Sequence, residues 1–271
     1  MIRDITFGQF FPAKSPIHAL DPRTKLVLVV AYIVMVFIGN NFFCLGLAAA
    51  YLILVTALSK VPVKMILRSI RPIWFVIAFT AILNIFYIQG EVLLFEWGFI
   101  HIYDRGVFTA LFMAVRIILV VMGSSLLTYT TSPTDLTDGL ERLLSPLKIF
   151  KLPVHEFALM MTIALRFIPT LIEETDKIMS AQKARGADLE SGGLLKRVKA
   201  LVPILIPLFV SSFRRAFDLA TAMECRCYHG GEGRTRMKIL QMHAGDYWAF
   251  GVTVLVFGGI IAASILLPKV Y

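Results

Sequence analysis

Two arginines flanked by small residues are the side chains best suited to contact a partner protein. One lies in Ala184-Arg185-Gly186 and the other in Cys225-Arg226-Cys227, 41 residues further along. Small neighbours let another backbone approach closely, and the planar guanidinium makes forked contacts with carboxylates or carbonyls. Each triplet also fits an ordinary helix end, because arginine suits the negative end of the helix dipole and glycine suits a C-cap. Their pairing on two similar helical patterns favours a docking role.

Other patterns that carry chemistry are weak or incomplete in this sequence. Cys225-x-Cys227 lacks the second ligand pair that a zinc site needs, and the five histidines show no ligand spacing. The segment 230–236 is glycine-rich and basic, but it lacks the Gly-x-x-x-x-Gly-Lys-Ser/Thr pattern and a preceding strand. We therefore expect no catalytic residue, no metal site, no cofactor and no ATPase in this chain.

The composition indicates an integral membrane protein. The 271 residues are 58% hydrophobic and 17% charged, against about 45–50% apolar and about 25% charged in soluble domains. The net charge of +9 comes from basic clusters between apolar blocks. Such clusters are explained better by the excess of lysine and arginine in cytoplasmic loops than by nucleic-acid binding.

Five apolar segments predict membrane spans. Asp21 and Pro22 predict the start of the first helix, as N-cap and first helical residue, and residues 23–25 are expected to snorkel to the interface. The fourth span contains Arg116. A short hairpin is predicted between the third and fourth spans, from strands at 92–95 and 99–103. The predicted apolar segments are 26–39, 42–58, 73–88, 107–129 and 248–267.

The basic residues predict the orientation and the domains. Four lie before the first span and four in the loop at 60–72, whereas the loop at 89–105 has one. This asymmetry places the N-terminus in the cytoplasm. The predicted domains are residues 1–129 with four spans, a cytoplasmic region at 130–245, and a last span within 246–271.

The cytoplasmic region is predicted to contain two long helices. A short amphipathic helix at about 132–144 precedes them. The long helices cover about 155–187 and 194–228, and each has an apolar half that is too short to be a convincing span. We expect the two to cross beneath the membrane. The predicted fold is therefore an all-α integral membrane protein with about five transmembrane helices and a cytoplasmic or interfacial pair of long crossing helices.

Three motifs in this chain resemble those of a transporter family. They are Ser15-Pro16 followed by Leu20-Asp21-Pro22-Arg23-Thr24-Lys25-Leu26, then Ala181-Gln182-Lys183-Ala184-Arg185-Gly186, then Met223-Glu224-Cys225-Arg226-Cys227-Tyr228 leading into Gly230. Together they resemble the transmembrane T component (EcfT) of energy-coupling factor (ECF) transporters over essentially the whole chain. The second arginine motif is usually Ala-Arg-Gly in that family, so its flanking cysteines are a departure.

The resemblance implies a non-catalytic subunit of an ATP-driven importer in the bacterial cell membrane. Two cytoplasmic ATPase subunits, which bind the ATP, would dock on the two arginine motifs. Their movement would pass through the paired coupling helices to a membrane-embedded S component that binds a vitamin or other micronutrient. The apolar residues implied to contact the S component or the membrane are Leu201, Ile204, Leu205, Leu208 and Phe209.

Three alternatives stay open at this stage. The chain could serve a dedicated cobalt, nickel or biotin importer instead of a shared one. An ordinary ABC permease would carry its own translocation path and one short coupling helix per subunit. An intramembrane enzyme or assembly factor would need a polar cluster inside the spans, where the sequence offers only Asn84 and Arg116.

Overall fold

The structure is a computed structural model that describes residues 10–88, 90, 93–97, 100–150, 153–187, 193–230 and 240–267. These residues form ten α-helices, two short 3₁₀ turns at Arg71–Ile73 and Ser145–Phe150, and one β-hairpin. The helices are α1 Pro16–Ala19, α2 Pro22–Ile38, α3 Phe42–Ser59, α4 Val63–Arg68, α5 Trp74–Tyr87, α6 Asp104–Thr130, α7 Pro133–Leu144, α8 Val154–Ala184, α9 Leu194–Glu224 and α10 Ala244–Leu266.

The helical segments confirm the all-α membrane class. Six in the described ranges are long and apolar enough to cross a membrane: Phe42–Ser59, Val63–Tyr87, Asp104–Thr130, Val154–Ala184, Lys199–Glu224 and Ala244–Leu266. Four contain predicted spans, and the first predicted span lies in α2, which has 17 residues. The other two candidates lie in α8 and α9, which run unbroken through their prolines for 31 residues each and qualify by length and composition.

The antiparallel hairpin also agrees with the sequence prediction. Its strands are β1 Leu93–Trp97 and β2 Ile100–Tyr103, within two residues of the predicted ends. The described elements fall into two compact units, of which one contains α1–α7, the hairpin and α10, and the other contains α8 and α9.

The first unit has a packed apolar core at the centre of its spans. Met35 of α2, Ala48 of α3 and Phe112 of α6 are completely buried. Gly123 of α6 lies directly beneath the Tyr32 ring, so that a methyl group added to this glycine would overlap the ring. The absence of a side chain at Gly123 therefore lets α2 and α6 approach closely.

Arg116 faces the interior of this bundle. The residue is 6% exposed, its guanidinium donates to the Gly39 carbonyl, and the guanidinium carbon lies 4.6 Å from the centre of the Phe112 ring. A charge inside a membrane protein is costly unless it finds such partners. Here Arg116 ties α6 to the turn after α2.

A polar network ties the start of α2 to the start of α10. The Asp21 side chain caps α2 by accepting from the Arg23 N–H at 2.9 Å and forms an ion pair with the Arg23 guanidinium at 2.8 Å. The backbone N–H of Asp21 donates to the buried Asp246 carboxylate at 2.9 Å, and Arg23 also donates to the Leu240 carbonyl at 3.2 Å. The predicted N-cap is therefore confirmed, and it belongs to a larger structural joint.

Lys25 completes this network. The expectation that it would snorkel to the interface is wrong, since the residue is 6% exposed. Its ammonium donates to the carbonyls of His18 at 3.1 Å and Thr130 at 3.0 Å. A buried ammonium requires hydrogen-bond acceptors of this kind. The side chains of the first sequence motif thus hold the start of α2 against the end of α6, through Lys25, and against the start of α10, through Asp21 and Arg23.

Candidate docking site

The site predicted from the two arginine motifs lies at the C-terminal ends of α8 and α9. At the end of α8, the Gly186 N–H donates to the Lys183 carbonyl and the Ala187 N–H donates to the Gln182 carbonyl, both at 3.0 Å. Gly186 has φ +84°. This pair of hydrogen bonds around a left-handed residue is the Schellman motif, which satisfies carbonyls left open at a helix end. Arg185 directly precedes the left-handed residue.

The end of α9 has the same hydrogen-bond pattern, shifted by 41 positions. The Cys227 N–H donates to the Glu224 carbonyl at 2.8 Å, and the Tyr228 N–H donates to the Met223 carbonyl at 3.0 Å. Cys227 takes the place of Gly186 with φ +55°, and Arg226 takes the place of Arg185. The equal spacing of the two arginines is thus a true structural equivalence at two identically terminated helices.

All six motif residues are exposed to solvent. No carboxylate within the described part of the chain forms an ion pair with Arg185 or Arg226. The left-handed residue turns the backbone away immediately after each arginine, which leaves the guanidinium at the outer end of its helix. Both ends therefore present a forked donor that a carboxylate or a carbonyl of another protein can reach.

α8 and α9 pack against each other in antiparallel directions. The Arg215 guanidinium donates to the Glu174 carboxylate at 2.7 Å, and the Gln182 amide donates to the Pro203 carbonyl at 3.4 Å. Later residues of α8 therefore contact earlier residues of α9. From the ion pair, both helices continue for eleven residues to their arginine, a rise of about 16 Å. The two arginines thus end helical arms of equal length that run in opposite directions.

The apolar residues predicted to contact a partner or the membrane form an exposed surface on α9, with one exception. Leu201, Leu205 and Phe209 are exposed and Leu208 is half-buried. Ile204 is only 4% exposed, so its side chain packs inside the chain.

Sequence reasoning missed Phe213 and Phe217, which continue the exposed surface. Together with Leu201, Leu205 and Phe209 they recur at every fourth position. At 3.6 residues per turn each lies about 40° further around than the one before, so the five form a stripe that winds gradually around the helix. This spacing was readable in the sequence, but the predicted contact residues ended at Phe209, shortly before polar residues begin at Ser211. The exposed apolar stripe consequently reaches past the ion pair between the helices.

The described residues offer little for metal or nucleotide chemistry. Within them, no group of three or more histidine, cysteine or acidic side chains is placed to hold a metal ion. Most of the glycine-rich segment at 230–236 lies outside the described residues, so the argument against a phosphate loop there stays a sequence prediction.

Comparison with known proteins defines the class of this multi-pass membrane protein. Residues 13–237 match the model of the CbiQ family, described as cobalt transport protein. The energy-coupling factor transporter transmembrane protein EcfT of Ruminiclostridium cellulolyticum is 51% identical over 255 residues, covering 94% of this chain and 95% of that protein.

Two further proteins of the same name show how broad the similarity is. The one from Acidaminococcus fermentans is 53% identical over 246 residues, covering 91% of each chain. The one from Bacillus subtilis is 44% identical over 266 residues, covering 98% of each. The chain therefore belongs to the CbiQ family and is a transmembrane component of the energy-coupling factor transporter type, as the sequence motifs indicated.

Proposed function

We propose that this transporter subunit couples ATP-driven movement of two cytoplasmic ATPase subunits to a membrane-embedded S component that binds a vitamin or micronutrient. The observation that carries this proposal is the equivalence of Arg185 and Arg226. Both are exposed, both precede a left-handed residue, and both lie eleven residues beyond the ion pair that joins their helices. Two equivalent helix ends are suited to bind two similar ATPase subunits.

The ATPase contacts follow from the chemistry of the six motif residues. Each guanidinium can donate two parallel hydrogen bonds to a carboxylate or to carbonyls at a helix end. The small neighbours Ala184 and Gly186 allow the partner backbone to approach one end, and Cys225 and Cys227 are small enough to allow it at the other. The ATPase subunits hold the ATP in this scheme, and the chain itself catalyses nothing.

The S component is proposed to pack on the exposed apolar stripe of α9. Its contact residues are Leu201, Leu205, Leu208 and Phe209, extended by Phe213 and Phe217, while the buried Ile204 supports them from inside. A continuous apolar stripe on a long helix is a surface that a membrane helix of a partner can cover. With both types of partner on the same pair of helices, movement at the arginines is transmitted to the S component.

The proposed setting is the bacterial cell membrane with the N-terminus in the cytoplasm. In this setting α8 and α9 do not cross the bilayer, and both arginine ends lie on the side where ATP is available. The names of the EcfT relatives specify no substrate, which favours a component shared among several S components. The family description names cobalt, so a T component dedicated to cobalt, nickel or biotin is the alternative. Purification of the complex and identification of the S components it contains will separate the two.

The docking proposal is tested by replacing both arginines. We expect Arg185→Ala/Arg226→Ala to lose co-purification with the ATPase subunits and to lose uptake, while each single variant retains part of both. The matched control is Arg214→Ala, which removes another exposed arginine of α9 and should leave both unchanged. If the double variant retained normal ATPase binding and uptake, the assignment of these arginines would be wrong.

The S-component surface requires a separate test. Phe209→Glu places a charge on the apolar stripe and should abolish capture of the S component while the ATPase subunits still bind. Ser180→Glu adds the same charge to an exposed polar position of α8, away from this stripe, and should have no effect. Normal S-component capture by Phe209→Glu would contradict the proposed surface.

A further inference from the structure

Four basic side chains follow one another along the turn after α3 and the start of the next spanning segment. Lys60 lies in the left-handed turn that ends α3. Lys64 and Arg68 lie one turn apart on α4, and Arg71 begins the 3₁₀ turn that follows. All four are exposed. We call this set the basic stripe. Its last three members belong to the first turns of the candidate span Val63–Tyr87, at the level where a span leaves the apolar region.

An exposed apolar stripe runs directly beside the basic stripe. Val63 and Leu67 lie one turn apart on α4, each directly before a basic residue. Ile70 directly precedes Arg71, and Trp74 begins α5. Val63, Leu67 and Trp74 are more than half exposed, and Ile70 is half-buried. Tryptophan is enriched where a membrane protein meets the headgroup layer. Basic and apolar faces side by side are the pattern of a helix that lies in the membrane interface.

The rest of the bundle holds this face in place. Ile66 is completely buried in the core, on the side of α4 opposite the exposed residues. The Tyr129 hydroxyl of α6 donates to the Met65 carbonyl at 3.1 Å, and the Ser69 hydroxyl donates to the Ile66 carbonyl at 2.6 Å. The basic stripe therefore projects from a supported helix, so little order must be gained when it binds.

Within the described part of the chain, the charges of the stripe are not neutralised by neighbouring acidic groups. The sequence has no aspartate or glutamate between positions 59 and 90. In the described ranges, no carboxylate forms an ion pair with Lys60, Lys64, Arg68 or Arg71. A stripe of four cations at the end of a span, next to apolar side chains that enter the bilayer, is complementary to acidic headgroups above acyl chains.

We infer that the basic stripe is a binding surface for the phosphate groups of anionic phospholipids. Lysine and arginine donate to the headgroup phosphates, while Val63, Leu67 and Trp74 contact the adjoining acyl chains. The inference depends on the membrane placement of the chain and is independent of the ATPase and S-component assignments. Each basic residue near an anionic membrane surface strengthens association about fivefold, and high salt weakens it.

Trp74 supplies a reporter at the surface itself. The full chain carrying Trp97→Phe and Trp248→Phe retains Trp74 as its one tryptophan. This protein is placed in nanodiscs that contain phosphatidylcholine and phosphatidylglycerol at equal mole fractions. Its fluorescence is measured once with the phosphatidylcholine brominated and once with the phosphatidylglycerol brominated. Bromine quenches tryptophan fluorescence on contact, so the ratio of the two quenching curves measures lipid preference.

We expect brominated phosphatidylglycerol to quench Trp74 more strongly than brominated phosphatidylcholine. Lys64→Gln/Arg68→Gln should lower this preference about fivefold for each charge removed. The exchanged pair Lys64→Arg/Arg68→Lys should retain it. The control Lys14→Gln/Arg105→Gln removes two exposed charges elsewhere and should retain it too.

Three results would overturn the inference. Equal quenching by the two lipids in the chain with its basic stripe intact would show that no anionic lipid is selected. An equal loss in the control pair would assign the preference to net charge instead of to this stripe. Abolition of the preference by millimolar inorganic phosphate would assign the site to phosphate from solution instead of to the bilayer. Circular dichroism of every variant checks that the helices persist.

Discussion

Glu174 and Arg215 form the ion pair that joins α8 to α9, and they are separated by the same 41 residues that separate Arg185 from Arg226. The contact therefore joins equivalent positions of two equivalent arms. The charges at those positions are opposite, with Glu173 and Glu174 on one helix and Arg214 and Arg215 on the other. The pair sets where along their lengths the two helices meet.

Reversing one charge of this pair should loosen the contact, and reversing both should restore it. Because Arg215 and Glu174 are partly exposed, we expect Arg215→Glu to cost only about 0.2–1 kcal/mol. Glu174→Arg/Arg215→Glu should recover most of that loss. Thermal unfolding of the four proteins in detergent provides the double-mutant cycle. The same cycle on the exposed neighbours Glu173 and Arg214, ending in Glu173→Arg/Arg214→Glu, is the control and should show no coupling energy. An equal coupling energy in both cycles would contradict the assigned contact.

The left-handed backbone at Cys227 predicts that glycine would suit this position better. Cys227→Gly relieves a conformation that costs a side chain about 1–2 kcal/mol, and we expect slower hydrogen exchange at the amides of residues 227 and 228. Cys225→Gly should instead speed exchange, because Cys225 has a helical φ of −59°, where glycine is unfavourable by about 0.5–1 kcal/mol. Faster exchange in Cys227→Gly would contradict the described helix end.

Gly123→Ala tests the close approach of α2 and α6. The added methyl group overlaps the Tyr32 ring, and overpacking of this kind costs about 1–3 kcal/mol. Gly46→Ala is the matched control, since an added methyl group at Gly46 meets no atom within 4 Å, and alanine favours the helix by about 0.5–1 kcal/mol. The melting temperature should fall in the first variant and stay level or rise in the second. Equal effects would disprove the Tyr32 contact.

His18 should make the stability of the first unit depend on pH. Burial lowers the pKa of His18 below its ordinary value, and the Lys25 charge adds to this against the opposing hydrogen bond to the Phe11 carbonyl. The neutral ring donates from Nε2 to that carbonyl at 2.9 Å and accepts from the Ser15 hydroxyl at 2.7 Å.

A lowered pKa in the folded state fixes the sign of the effect. The contribution of His18 is fully present above about pH 6.5, the pKa of an unfolded histidine. It is lost as the pH falls through the lower pKa of the folded state. The melting temperature should therefore fall less between pH 7.5 and 5 in His18→Gln than in the unaltered chain. His229→Gln, at an exposed position, should leave the pH dependence unchanged; a loss there would implicate other groups.

Local chemistry explains which parts of the fold were predictable. Asp21 and Pro22 start α2 as predicted, because capping depends on neighbours in sequence. The hairpin and the break between the first two predicted spans are likewise local. The lengths of α8 and α9 were also predicted, within four residues of their ends, because the helical pattern of each segment continues through the change from apolar to charged residues.

The remaining features depend on tertiary contacts. Lys25 resembles an interfacial lysine in sequence, and only the carbonyls at positions 18 and 130 reveal it as a buried joint. Cysteine does not signal a left-handed backbone as glycine does, so the equivalence of Cys227 with Gly186 required the hydrogen bonds. The docking residues themselves were chosen from sequence, and the structure adds their exposure and their matched helix ends.

The equal arms have a mechanical consequence. If the two helices turn about the Glu174–Arg215 contact, their two arginines lie at equal distances from the pivot. A turn of about 10° at that pivot would swing each arginine by roughly 3 Å, given about 16 Å of helix. Because the arms are equal, one rotation moves both arginines by the same distance. Two ATPase subunits that move by equal amounts would therefore drive the same rotation of the helix pair from either end.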